Sequence, residues 1–118
     1  RPRIRIRQKK RGRNMTDIKM TAFEIISYAG DAKSSAYEAL EAAKQNDHAG
    51  YEAKMEEAEN KINEAHKAQY AMLQEEAAGQ MHAEFSIIVV HAQDHLMTTM
   101  ATIDLIKELS ELYFLRHA

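Results

Sequence analysis

Residues 85–103 read FSIIVVHAQDHLMTTMATI, a stretch with one formal charge, Asp94, and no Lys or Arg occurs anywhere between Lys67 and Lys107. Its apolar residues fall on almost every side of a helix rather than along one stripe, and a helix of that kind is buried all round. The stretch is expected to form the heart of a third helix running from about Ala83 to Phe114. Two neighbours in an isolated three-helix bundle cover only one side of such a helix, so its other side is expected to meet copies of itself in an oligomer. Further on, Leu105, Lys107, Glu108, Glu111 and Leu112 restore an ordinary amphipathic pattern, the expected edge of the bundle.

Upstream of this stretch, Gly79 supplies a helix stop and Asp47 a helix cap, which brackets a second helix ending near Ala78. On it Ala58, Ile62, Ala65, His66, Gln69 and Leu73 share the expected inward stripe. Glu56, Glu57, Glu59, Lys61, Glu64 and Lys67 form most of the wet surface. Earlier still, Thr21-Ala22-Phe23-Glu24 matches a capping box, a hydroxyl followed three residues later by a carboxylate, and predicts a first helix starting near Met20. Phe23, Ile26, Ala29, Ala36, Leu40 and Ala43 then recur mostly at helical steps until Gln45-Asn46-Asp47 breaks the pattern.

The composition agrees with an all-α fold. The chain has 118 residues, 45% of them hydrophobic, with one Pro and no Cys or Trp. Ala and Met are plentiful while β-branched and aromatic residues are sparse, which suits helices packed through small side chains and disfavours strands. Without Cys there is no disulfide, thiol nucleophile or thiolate metal site. No apolar run approaches the roughly 20 residues that span a bilayer, so a soluble, cytoplasmic protein is expected. The net charge of −2 is an average of opposites: residues 1–14 hold six Arg, two Lys and no acid, and residues 15–118 carry the compensating −10. A basic arm can bind nucleic acid or anionic lipid. Met15-Thr16-Asp17 nevertheless reads as a true start, and Lys9-Lys10-Arg11-Gly12-Arg13 is what a purine-rich ribosome-binding region would encode in frame. Residues 1–14 are therefore expected to be a disordered arm of translated upstream sequence, with no nucleic-acid partner, and residues 15–118 a single domain.

There is no GxGxxG, Walker, HExxH or GxSxG motif, no Cys-His zinc spacing and no EF-hand loop. The chemistry is left to His91-Ala92-Gln93-Asp94-His95, where positions i, i+3 and i+4 bring His91, Asp94 and His95 to adjoining parts of one face and turn Gln93 away. An unpaired ionised Asp inside an apolar helix is expensive, so Asp94 is expected to be protonated, paired with a histidine or bound to metal. His66 and Gln69 on the second helix either hydrogen-bond the His91 imidazole or bridge helices. His95 either orients the carboxylate or imidazole or is satisfied by a neighbour. Leu96, Met97 and Met100 are expected in the core or an interface between copies. Gly30, costly inside a helix, marks a close helix contact. Two readings stand on these residues alone: a metal-binding bundle using His91, Asp94, His95, His66 and Glu64, and an adaptor whose His and Asp merely fill a core.

The run Val89–Thr99, VVHAQDHLMTT, resembles the active-site signature of the lactose/cellobiose-type enzyme IIA components of the bacterial sugar phosphotransferase system. Residues 23–34, FEIISYAGDAKS, and 63–69, NEAHKAQ, resemble the first and second helices of that family, and the similarity runs over residues 18–114 without the basic arm. The resemblance implies three antiparallel helices per chain assembled as a homotrimer. It implies that His91 takes a phosphoryl group from the histidine phosphocarrier protein and passes it to a cysteine of the IIB component. IIB in turn serves the uptake of a β-linked disaccharide of the lactose, cellobiose and chitobiose class through the membrane IIC component. It also implies that Asp94 meets its two symmetry mates around a divalent cation, usually Mg2+, on the trimer axis. Imidazole suits the transfer because its pKa lies near neutrality, so it attacks as the free base and leaves readily.

Overall fold

The computed structural model describes residues 14–79 and 86–118. These form three helices: α1, Met15–Lys44; α2, His48–Ala77; and α3, Ile87–His117. Residues 1–13 of the expected 1–14 arm and the expected start of the third helix at residue 83 lie outside the described residues. Asn14, counted above with the arm, belongs to the fold. Its side-chain oxygen accepts a hydrogen bond from the Asp17 amide at 3.0 Å and caps α1. The helix therefore starts upstream of the Thr21 capping box, and Thr21 is a helix-interior residue whose hydroxyl donates to the Asp17 carbonyl at 3.1 Å.

Asn46 makes the reversal after α1 in the left-handed region, at φ 59°, a conformation that Asn tolerates better than other non-glycine residues. Asp47 then caps α2 by accepting from the Gly50 amide at 2.9 Å, as its position suggests. Beyond α2, Gly79 adopts φ 70° and ends the helix. Consecutive helices run antiparallel. Lys54 on α2 pairs with Glu38 on α1 at 2.9 Å, and α2 meets α3 through Gln69 with Gln93 and through Glu59 with Lys107. Hence α3 runs alongside α1 in the same direction, and the His117 ring reaches the Lys44 carbonyl at 3.0 Å.

The core is built around the alanines of α1. Ala22, Ala29, Ala32, Ala36, Ala39 and Ala43 are wholly buried, with Ile18 and Ile25 beside them. Small side chains let α2 and α3 approach the α1 backbone closely, and Met55, Ile62 and Met72 from α2 and Leu96, Ile103 and Ile106 from α3 fill the remaining space. This phase corrects the expected stripes at their margins. Phe23 is exposed and Ile26 half-buried on α1; on α2, His66 and Leu73 are exposed while Met55 and Met72 point inward. The buried α2 positions 58, 62, 65, 69 and 72 follow steps of three and four residues, and positions 66 and 73 fall just past the edge of that stripe.

One side of α3, Ala92, Leu96, Thr99, Ile103, Ile106 and Ser110, is buried within the chain. The opposite side is open: Ile87, Val90, Met97, Leu105, Leu112 and Leu115 are exposed, Leu115 by 69%. The apolar outer face thus continues through the last turns, where a conventional wet edge was expected. Among the described residues no helix is long and apolar enough to cross a membrane.

Candidate functional site

The first turns of α3 carry the singled-out cluster. His91, in the second turn, is exposed, and His95, one turn further on, is half-buried against α1. The two imidazole planes are parallel to within 2°, with ring centroids 6.2 Å apart. The Nε2 atom of His95 lies 3.8 Å from the point a Cβ on Gly30 would occupy, an ordinary van der Waals distance, so the His95 ring rests over Gly30 of α1. Burial, then the neighbouring His91, then Lys33 on α1 lower the His95 pKa from its ordinary 6.5. His95 is accordingly held neutral near neutral pH. Lys33, one turn beyond Gly30, is the contributor that sequence spacing left unmarked; its place beside the cluster depends on how α1 lies along α3.

Asp94 is exposed in the single chain, so the burial penalty expected for it does not arise there. Neither His91 nor Asp94 fills a core within the chain, contrary to the adaptor reading. The Thr98 hydroxyl donates to the Asp94 carbonyl at 2.8 Å and lies 3.2 Å from that of His95; Thr102 donates to the Thr98 carbonyl at 2.8 Å. Both hydroxyls are thus turned back onto their own helix. Gln93 does point away from His91, as its spacing requires, but it points into the bundle: its side-chain oxygen accepts a hydrogen bond from the buried Gln69 amide. Of the two roles open to Gln69, the structure gives it the bridge between helices. His66, by contrast, stands exposed on α2, and Glu64 pairs with Lys67 at 3.4 Å. Among the described residues no group of three His, Asp or Glu side chains is placed to hold a metal ion, so the five residues of the metal-bundle reading do not meet as one ligand set.

What this arrangement offers is an exposed imidazole on a rigid helix, next to a second, neutral imidazole and an exposed carboxylate. The family model of the lactose/cellobiose-specific IIA subunit of the phosphotransferase system matches residues 20–114. The chain belongs to that family. As a IIA component it takes part in phosphoryl transfer during sugar uptake. This IIA chain is 48% identical over 100 residues to the lactose-specific EIIA component of Staphylococcus epidermidis, a match covering 85% of the chain and 95% of the relative. Its fold is similar to the cellobiose-specific enzyme IIA of Bacillus anthracis, with a TM-score of 0.78 at 40% identity over 85% of this chain and 91% of the other. It is also similar to a chain in the complex of IIA(chitobiose) with HPr from Escherichia coli, with a TM-score of 0.74 at 39% identity, covering 86% and 97%. The matched segment begins after the basic arm and contains every residue of the cluster.

Proposed function

We propose that His91 is the temporary seat of the phosphoryl group: the P–N bond to the donor histidine of the phosphocarrier protein breaks as one to His91 forms, and that bond in turn breaks as a P–S bond to a cysteine of the IIB component forms. The observation that carries this reading is the exposure of His91 on α3, within the segment that matches the IIA family. Transfer between two carriers needs an accessible nitrogen lone pair, in-line placement and little else from the protein, and a helix holds such a nitrogen well. The solved complex of IIA(chitobiose) with HPr supports HPr as the donor here. Lactose, cellobiose and chitobiose, named for the relatives, set the sugar class, and the membrane enters only through the IIC component; the carrier itself works in the cytoplasm.

The open apolar side of α3 supports a homotrimer in which three copies of this helix cover one another. Val90, Asp94 and Met97 follow a four-then-three spacing along that side, so Asp94 comes to the shared axis with its apolar neighbours. A hard divalent cation such as Mg2+ takes oxygen ligands, and one carboxylate from each of three chains suits it. Bound there it would supply charge neutralisation, leaving Asp94 a structural ligand. His95 stands by as an accessory residue.

The test is incubation with the purified phosphocarrier system and radiolabelled phosphoenolpyruvate. Acid-labile, alkali-stable label that chases onto IIB, and its loss in His91→Ala with helical content retained, is the expected result. Label that persists in His91→Ala would overturn the assignment.

A further inference from the structure

We propose that His91 and His95 form a two-imidazole chelate for a borderline transition-metal cation of the Zn2+ type, and that this ion, by occupying His91, blocks phosphoryl transfer. The site differs in ligand chemistry from the Mg2+ site proposed at Asp94, which lies on an adjoining part of the same helix face. Its inhibitory half rests on the phosphoryl reading of His91; its binding half does not.

The argument begins with helix geometry. Residues four apart on an α-helix stand one above the other, displaced by about 6 Å along the axis. The parallel rings of His91 and His95, 6.2 Å apart, show this displacement with matching side-chain directions. A metal bound by two imidazoles at about 2.0–2.1 Å from each nitrogen draws them closer than this, so the two side chains must turn toward a shared point to chelate it. His91 is exposed and free to turn. His95 has space at its Nε2 because α1 presents Gly30 there rather than a side chain. Solvent water completes the coordination, since no third protein ligand converges.

Ligand softness separates the two sites. Neutral imidazole nitrogen favours Zn2+, Cu2+ and Ni2+, whereas carboxylate oxygen favours Mg2+ and Ca2+. Excess Mg2+ therefore fills an oxygen site without displacing a nitrogen-bound ion. Coordination uses an imidazole lone pair, and His91 needs that same lone pair to attack phosphorus. Zn2+ and the phosphoryl group are then mutually exclusive on His91.

The experiment titrates the intact protein with Zn2+ by calorimetry in millimolar Mg2+, and separately measures phosphate transfer from the phosphocarrier system with and without Zn2+. Wild type should bind one Zn2+ per chain that His91→Ala and His95→Gln each weaken roughly tenfold or more. Zn2+ should slow wild-type transfer, with recovery on chelation, while transfer by His95→Gln, scaled to its own metal-free rate, loses that sensitivity. Zn2+ affinity unchanged in both variants would overturn the inference, and so would binding by the histidine pair that leaves transfer unaffected. Absence of transfer without Zn2+, with binding by the pair intact, would instead sink the phosphoryl reading and leave the chelate standing. Gly30→Ala provides a check free of either ligand: a methyl group facing His95 Nε2 should weaken Zn2+ binding while the helical signal stays unchanged.

Discussion

At the scale of single residues, the cluster on α3 divides by exposure. His91 meets solvent, and His95 is pressed toward α1, where burial, then the neighbouring His91, then Lys33 disfavour its charged form. A histidine with a lowered folded-state pKa contributes stability that is fully present above its unfolded value and is lost as pH falls through the folded one. We expect NMR titration to place His95 below the 6.5 of a free histidine. Thermal stability should decline as the pH drops below that value, with a smaller decline in His95→Gln. Gly30 gives a second residue-scale outcome. A Cβ there would sit in ordinary van der Waals contact with the His95 ring. Replacing a mid-helix glycine by alanine favours the helix by about 1 kcal/mol. Gly30→Ala should therefore raise the stability measured by urea unfolding by up to that amount.

At the scale of elements, the two described helix starts with side-chain caps illustrate what local chemistry decides. Asp47 caps α2 where the sequence places it, and Asp47→Ala should cost about 1 kcal/mol in urea unfolding. Asn14 caps α1 where the Thr21 box does not, because the chain between residues 15 and 20 continues the helical repeat and brings Ile18 fully into the core. A capping box is a pattern of residue types, and a cap better placed upstream turns the same residues into helix interior. The lower edge of the bundle shows the same dependence on neighbours. His48 stacks on Phe114 at 3.9 Å and Tyr51 meets the same ring edge-on, an aromatic closure of α2 on α3 that no spacing within either helix reveals.

At the scale of the whole molecule, α1 is the spine. Its buried alanines leave room for no larger residue, so Ala32→Leu or Ala36→Leu should destabilise by about 1–3 kcal/mol through overpacking, read by chemical denaturation. The uncovered side of α3 makes the opposite demand. Light scattering should report a trimer, and the paired change Leu105→Lys with Leu112→Lys should shift it toward monomer while circular dichroism retains the helical signal. Both leucines are exposed in the single chain, at 64% and 63%, so a loss of assembly without unfolding identifies the outer face as the seam.

Three helices, the limits of α2 and the family were legible in the residues themselves. Helical periodicity, Asp and Gly at the ends, and the HAQDH run are local signals that survive any packing. The direction in which each borderline residue faces was not legible. Ala is compatible with either side of a helix, so the hydrophobic pattern of α1 and α2 fixes their inward phase only to within about one residue, enough to put His66 on the wrong side and Gln69 on the right one. Only the tertiary structure chose that phase, because burial is a property of where neighbouring helices lie. The same packing decided that Gln93 would tie α3 to α2, that His95 would rest against Gly30 while His91 stayed in solvent, and that half of α3 would be left for something else to cover.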